Sequence, residues 1–366
     1  MESSKRLNYV DMVKGIAVLW VVFYHLLAPC AFKSVLDHLC DAMLLSFFFY
    51  SGYFYRPGRR AFGENVKSRA RALLVPFFKY SLFFWAVGSI QLVISGSETI
   101  PEALFCLRNF YVGCIWNRVI QGWFNLQYYK LGSRYFYLAD FWFLLALFFA
   151  SIPFFLIADR VLSSRKKTIG TALALLAVTG AFRHFVVSLP YNLQLIPFWT
   201  AIMLLGALTG QEALFEKPVF NGAKGWMLST LLLAAGAASS MFKAPCLNLF
   251  RGSFGEPEVA NMLLCVLSSL LFIPGLTGLC AQVERAGGRT KELCWLGSHS
   301  LLIYIYHMFL AWILCQITGF SITYEAPGSV GVMAGSVLLA LACIALVILR
   351  YVAGERIAEK RRAQGK

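Results

Sequence analysis

Apolar residues in this chain gather into long blocks separated by short, mostly basic, polar stretches. Ten blocks approach the ~20 residues that a helix needs to cross a bilayer. They run roughly over 13–29, 39–55, 73–95, 138–158, 168–187, 193–210, 226–242, 259–281, 294–316 and 329–351. An even number places both termini on one side of the membrane. The first block begins polar and turns apolar after Lys14. Its length, and the lack of a small-x-small cleavage pattern after Leu26, mark it as a retained first helix rather than a cleaved leader. The blocks form one transmembrane domain over 1–355, followed by a basic tail, 356–366. The longest non-spanning stretch, about 96–137, is aromatic (Phe110, Tyr111, Trp116, Trp123, Phe124, Tyr128, Tyr129, Tyr135) and reads as an interfacial belt or a sugar-stacking platform. Neither a tandem repeat nor a matched pair of Gly/Pro-broken helices of the transporter kind stands out.

Composition agrees. The chain is 59% hydrophobic and 14% charged, where a soluble domain is about a quarter charged. The expected class is an all-α polytopic membrane helix bundle whose partner is the lipid bilayer. A net charge of +15 raises nucleic acid as a partner, but the position of the charge argues against it. Lys and Arg collect in alternate loops: 56–72 (Arg56, Arg59, Arg60, Lys67, Arg69, Arg71), 159–167 (Arg160, Arg165, Lys166, Lys167), 282–293 (Arg285, Arg289, Lys291) and the C-terminal tail. That side is expected to face the cytoplasm, both termini with it, as in a bacterial-type inner (cytoplasmic) membrane. The ten cysteines make no CxxC pair and no Cys/His ligand spacing, so no metal site is expected. Cys106 and Cys114 share one predicted exterior loop, where free thiols and a bridge both stay open, the free thiols being the favoured reading.

Within this frame a few polar residues stand where lipid solvation would be costly. Lys14 and His25 are eleven residues apart in RLNYVDMVKGIAVLWVVFYHL. That is three helical turns plus roughly 20°, so they share a stripe over ~16 Å, and Asp11 falls within about 40° of it. An ionisable group at the depth of His25 faces protein or water and is a functional candidate; the bland alternative is an interhelical hydrogen bond. The second block ends SFFFYSGYFYRP, where Ser51 and Gly52 permit close backbone approach to a ligand or to a neighbouring helix. The cation-rich loop that follows suits an anionic ligand, because Arg pairs bidentately with phosphate, or serves topology alone. Arg69 and Arg71 are two apart, so on a helix they point to different faces. The fourth block opens with Asp140 and Trp142. In the ninth, Ser300, Tyr304 and His307 follow i, i+4, i+7 spacing and share a face, which lines a cavity or holds helices together.

These segments in this order, together with SRARALLVPFF, FWFLLALF and LGSHSLLIYIYHMFL, resemble the acyltransferase 3 family of integral membrane O-acyltransferases. The resemblance runs along nearly the whole chain and looks closest to the fucose 4-O-acetylase-like branch. It implies a ten-helix core and transfer of an acetyl group from acetyl-CoA, as co-substrate and with no bound cofactor, to a hydroxyl of a glycan or glycan precursor. Lys14 and His25 occupy the family's basic-x10-His positions. Arg69 and Arg71 fall where the family has Arg-x-x-Arg, here shortened to Arg-x-Arg. The soluble esterase-like domain of some members is absent, so a partner that handles the acceptor would be a separate protein.

On that reading His25 is the general base, suited by an ordinary pKa of ~6.5, with a covalent acetyl-histidine as the variant. Lys14, fixed by Asp11, belongs to the catalytic stripe; Arg69, Arg71, Ser51 and Gly52 bind donor; His307, Tyr304, Trp142 and Asp140 line the acceptor side. The competing class is a carrier or flippase for lipid-linked sugars, with His25 and His307 as proton relays. The cation-rich loop separates the two, since a carrier has no evident use for it.

Overall fold

The computed structural model describes residues 7–97, 99–105, 107, 141–185, 190–243, 253–288, 290–319 and 330–363, and for 190–192 and 354–363 the backbone alone. The described residues are helical, with no strand among them. In order come α1 (Asn8–Leu26), α2 (Ala31–Tyr53), α3 (Phe62–Ile94), α4 (Trp142–Val161), α5 (Arg165–His184), a 3-10 turn (Pro190–Leu195) and α6 (Ile196–Gln211). After two short 3-10 turns follow α7 (Gly222–Ser240), α8 (Glu258–Arg285), α9 (Lys291–Ser298), α10 (Ser300–Thr318) and α11 (Val330–Ala363). Nine of the ten apolar blocks correspond to one long helix each, and the ninth in order is divided between α9 and α10. Asp140, the aromatics of 110–135 named above, Cys106, Cys114 and Arg289 lie outside the described residues.

Among the described residues, seven stretches are long and apolar enough to cross a membrane: those of α1, α3, α4, α6 with its flanking turns, α8, α10 and α11. The protein is a multi-pass membrane helix bundle. α2, α5 and α7 fall short for a visible reason. α5 carries Arg165, Lys166 and Lys167 at one end and Arg183 and His184 at the other. α7 is interrupted by Gly, Ser, Thr and Lys224.

α2 begins at Ala31, well before the boundary expected at 39, because its polar first half finds partners inside the fold. Lys33 pairs with Asp37 one turn on. Lys243 Nζ lies 2.5 Å from Asp41 Oδ2 and donates to the carbonyl of His38 at 2.8 Å. α3 likewise starts at Phe62 rather than 73, its first turn closed by Ala61 N donating to Glu64 Oε2 at 3.2 Å. The ninth block is broken at His299 into α9 and α10. At the other end α11 runs on to Ala363, so most of the basic tail continues that helix.

α1 is the central element, touching α2, α8, α9, α10 and α11. Its contact with α9 is backbone on backbone: a Cβ on Gly297 would overlap the Asp11 carbonyl, and one on Gly15 the Leu293 carbonyl. Absence of side chains lets the two axes close, as small residues do in membrane bundles. Glu284 at the end of α8 receives Tyr9 N at 3.0 Å and Asn8 Nδ2 at 2.9 Å, which satisfies first-turn donors of α1.

Candidate active site

The turn from α1 into α2 is buried: Leu26, Leu27 and Ala28 are 1%, 4% and 0% exposed. Ala28 N donates to Ser336 Oγ of α11 at 3.2 Å, and Trp20 Nε1 to the Leu36 carbonyl at 3.1 Å. Ser336 is six residues beyond the start of α11, so the hairpin tip sits about 9 Å inside the bundle. His25, in the last turn of α1, is therefore held deep.

There it meets His307 of α10, ring centroids 5.3 Å apart at 43°. His307 lies in the first half of α10, with about 16 Å of that helix beyond it. The two rings differ in surroundings. His307 is wholly buried. Its Nδ1 sits 2.7 Å from the Tyr304 carbonyl, and a carbonyl only accepts, so Nδ1 carries a proton. Its Nε2 is buried without a hydrogen-bond partner among the described residues. His25 is half-buried, with the Tyr24 ring edge-on at 4.9 Å. Tyr304 lies behind, 6.0 Å from the His307 ring and 5.7 Å from Phe143. Trp142, next to Phe143, stands 6.5 Å from Trp199.

At the other end of the α1 stripe Lys14 Nζ lies 3.8 Å from Asp11 Oδ1. It also sits 5.3 Å from the Phe54 ring, which brings it to the end of α2 where Ser51 and Gly52 are. Tyr9 and Tyr53 join hydroxyls there at 3.0 Å. Just beyond, Tyr55 OH donates to Asp159 Oδ1 at 2.7 Å, and burial followed by that carboxylate pushes its phenol up from the ordinary value. Gly52 itself is used by packing, since a Cβ would overlap the Met203 backbone of α6. Gly206 and Gly210 make the reciprocal contact with Phe49 and Tyr53. Of the pair, Ser51 is the half-buried one with a side chain to offer.

Arg69 and Arg71 differ in surroundings. Arg69 is half-buried, on the α3 face that continues through the buried Leu73 and Phe77, whereas Arg71 is exposed. No hydrogen-bond or ion-pair partner of Arg69 occurs among the described residues.

A family model for an acyltransferase domain matches residues 7–349. The chain belongs to the acyltransferase 3 family. It is an acyltransferase by that membership, which favours an enzyme over a carrier. No curated protein and no solved structure matches it at a significant level.

Two groups near the site were not singled out from the sequence. Lys33 Nζ lies 4.1 Å from the Tyr24 ring and pairs with Asp37, next to His25. His299 stacks on Trp295 at 4.2 Å near the Lys14 end. Both pairs have i, i+4 spacing, the available signal; the first was hidden by starting the block at 39.

Proposed function

We propose that this acyltransferase moves an acetyl group from acetyl-CoA to a hydroxyl of a glycan or glycan precursor, with His25 as general base. The observation that carries the reading is the half-buried His25 backed by the fully buried His307, on the helix that bears Lys14 ~16 Å away. The donor enters from the Lys14 end, where Arg69 offers a cation with no partner among the described residues. The acceptor comes from the far side of the hairpin tip, beyond which neither α1 nor α2 extends.

In the reaction the acceptor hydroxyl gives its proton to the imidazole of His25 as its oxygen attacks the thioester carbon. The tetrahedral adduct collapses with loss of the coenzyme thiolate, which takes the proton back from the imidazolium. His25 ends neutral, and ester and thiol leave. His307, with Nδ1–H fixed on the Tyr304 carbonyl, turns an acceptor nitrogen toward its surroundings and orients His25. The basic loops and both termini face the cytoplasm, where acetyl-CoA is made, in keeping with the positive-inside rule.

Mass spectrometry of surface glycans and peptidoglycan from cells with and without the protein tests this. An acetyl mass difference is expected, restored by wild type and not by His25→Gln. Identical glycans in both strains, with acetyl-CoA left intact by purified protein, would count against the acetyl donor and the glycan acceptor together.

A further inference from the structure

At the Lys14 end of the bundle, α9, α10 and α11 bring together an aromatic group that the proposed chemistry does not use. The Trp295 and His299 rings stack at 4.2 Å and 22°. Tyr351 of α11 closes edge-on, 4.1 Å from His299 and 5.3 Å from Trp295. The stack is held in one orientation: His299 Nδ1 donates to the Trp295 carbonyl at 2.8 Å, and Ser298 Oγ, which donates to the same carbonyl, lies 2.9 Å from Nδ1. All three rings are half-buried rather than enclosed. Trp295 Nε1 and His299 Nε2 have no hydrogen-bond partner among the described residues. With Nδ1 carrying a proton, the neutral His299 ring presents Nε2 as an acceptor, while the indole presents a donor.

The group is also next to the stripe. Gly297, two residues from both Trp295 and His299, lies against the backbone of Asp11, and Asp11 pairs with Lys14. The exposed Arg350 precedes Tyr351 in α11 and places its guanidinium 4.5 Å from the Tyr306 ring of α10, seven residues on from His299. A half-exposed aromatic stack with an open donor and an open acceptor, with Lys14 and Arg350 on the adjoining helices, has the chemistry that receives a purine base carrying phosphates. Stacking holds the base, and the cations hold the charge.

We infer that Trp295, His299 and Tyr351 form the subsite for the adenine of the acyl-coenzyme A donor, with Arg350 at its phosphates. This rests on acetyl-CoA being the donor and adds which end of that molecule binds where. The nucleotide docks at the α9–α10 junction while the pantetheine arm runs along α1 toward His25.

Binding to the purified full-length protein in detergent tests it without knowledge of the acceptor. Three probes are used: coenzyme A, 4′-phosphopantetheine and adenosine 3′,5′-bisphosphate. Trp295→Ala should weaken coenzyme A and the bisphosphate by about 5- to 150-fold, the span of base stacking by alanine substitution. Phosphopantetheine should change by less than about twofold, and Trp295→Phe, which keeps a stacking ring, should stay near wild type. If Trp295→Ala does not accumulate in the membrane, His299→Leu removes the open acceptor with an apolar group in its place, and the same selective loss is expected. Equal weakening of all three probes, or none, overturns the subsite and leaves these rings as a clasp between helices. Wild type that binds none of the three overturns the donor reading itself, and the subsite with it.

Discussion

Two buried polar clusters in this bundle are built on opposite plans. Where α5 meets α8, Glu258 Oε1 accepts from Arg183 Nη2 at 2.7 Å and Ser253 Oγ at 2.5 Å. Its Oε2 accepts from Arg183 Nε at 3.2 Å and Phe254 N at 2.8 Å. Each carboxylate oxygen is thus taken twice. In the His25–His307 pair one ring is half-open and the other keeps a buried nitrogen without a hydrogen-bond partner among the described residues. A buried polar group left unmade costs roughly 1–3 kcal/mol, so it persists where something other than stability selects it. The saturated cluster holds two helices together, and the unsaturated one is where the proposed chemistry would take place.

The largest effect should come from breaking the saturated cluster. Glu258→Ala strands the Arg183 guanidinium, 3% exposed, without its carboxylate. Loss of one partner from a buried pair costs about 3–5 kcal/mol. Thermal unfolding in detergent should show a large destabilisation, while kcat per folded molecule stays within a few-fold of wild type. A stable variant with abolished turnover would erase the distinction between the clusters.

His25→Gln should do the reverse. Loss of a general base costs at least ~10²-fold in kcat. Unfolding temperature and membrane level should hardly move, because the ring is half-buried and stands at a hairpin tip pinned by Ala28 and Trp20. A variant that keeps more than about a tenth of wild-type kcat would remove His25 from the base role.

Much of this contrast was legible in the chain, and the remainder was hidden for reasons that can be named. The stripe from Lys14 to His25 follows from helical geometry alone. That His25 would meet His307, and not another polar residue, depends on α1 and α10 being neighbours, which spacing within one helix does not contain. The beginning of α2 was misplaced because Lys33, Asp37, His38 and Asp41 look like loop residues until Lys243, some two hundred positions away, is seen to pair with Asp41 Oδ2. Gly52 left two readings open. Only the backbone of Met203 against it shows that its missing side chain serves helix contact. Glu258 and Arg183 are likewise far apart in sequence, so nothing local marks them as a pair.

α3 offers an internal control on the same idea, since Arg69 and Arg71 share a helix and differ in surroundings. Arg69 is half-buried and has no partner among the described residues. Arg69→Ala should raise KM for acetyl-CoA by about 10- to 150-fold, the worth of one charge-assisted hydrogen bond, with the acceptor KM unchanged. Arg71→Ala, on the exposed face, should alter it by less than about twofold. Equal losses from the two would make the arginines a topological feature and not a donor contact.

The smallest effect separates the two histidines from one another. If His25 takes the proton and His307 only orients it, what His307 supplies is a hydrogen bond from Nδ1–H to the Tyr304 carbonyl and an acceptor at Nε2. A glutamine amide contains both a donor and an acceptor, on a more flexible stem. His307→Gln should therefore keep kcat within about tenfold of wild type, less than the loss expected from a general base. His307→Leu has neither function and should fall further, by roughly 1–3 kcal/mol of transition-state stabilisation. Steady-state rates with saturating acetyl-CoA order the three proteins. Should His307→Gln be as damaged as His25→Gln, the histidines would be acting as one coupled unit, and losses in the double variant would not add. The orphaned Nε2 would then belong to the proton path itself.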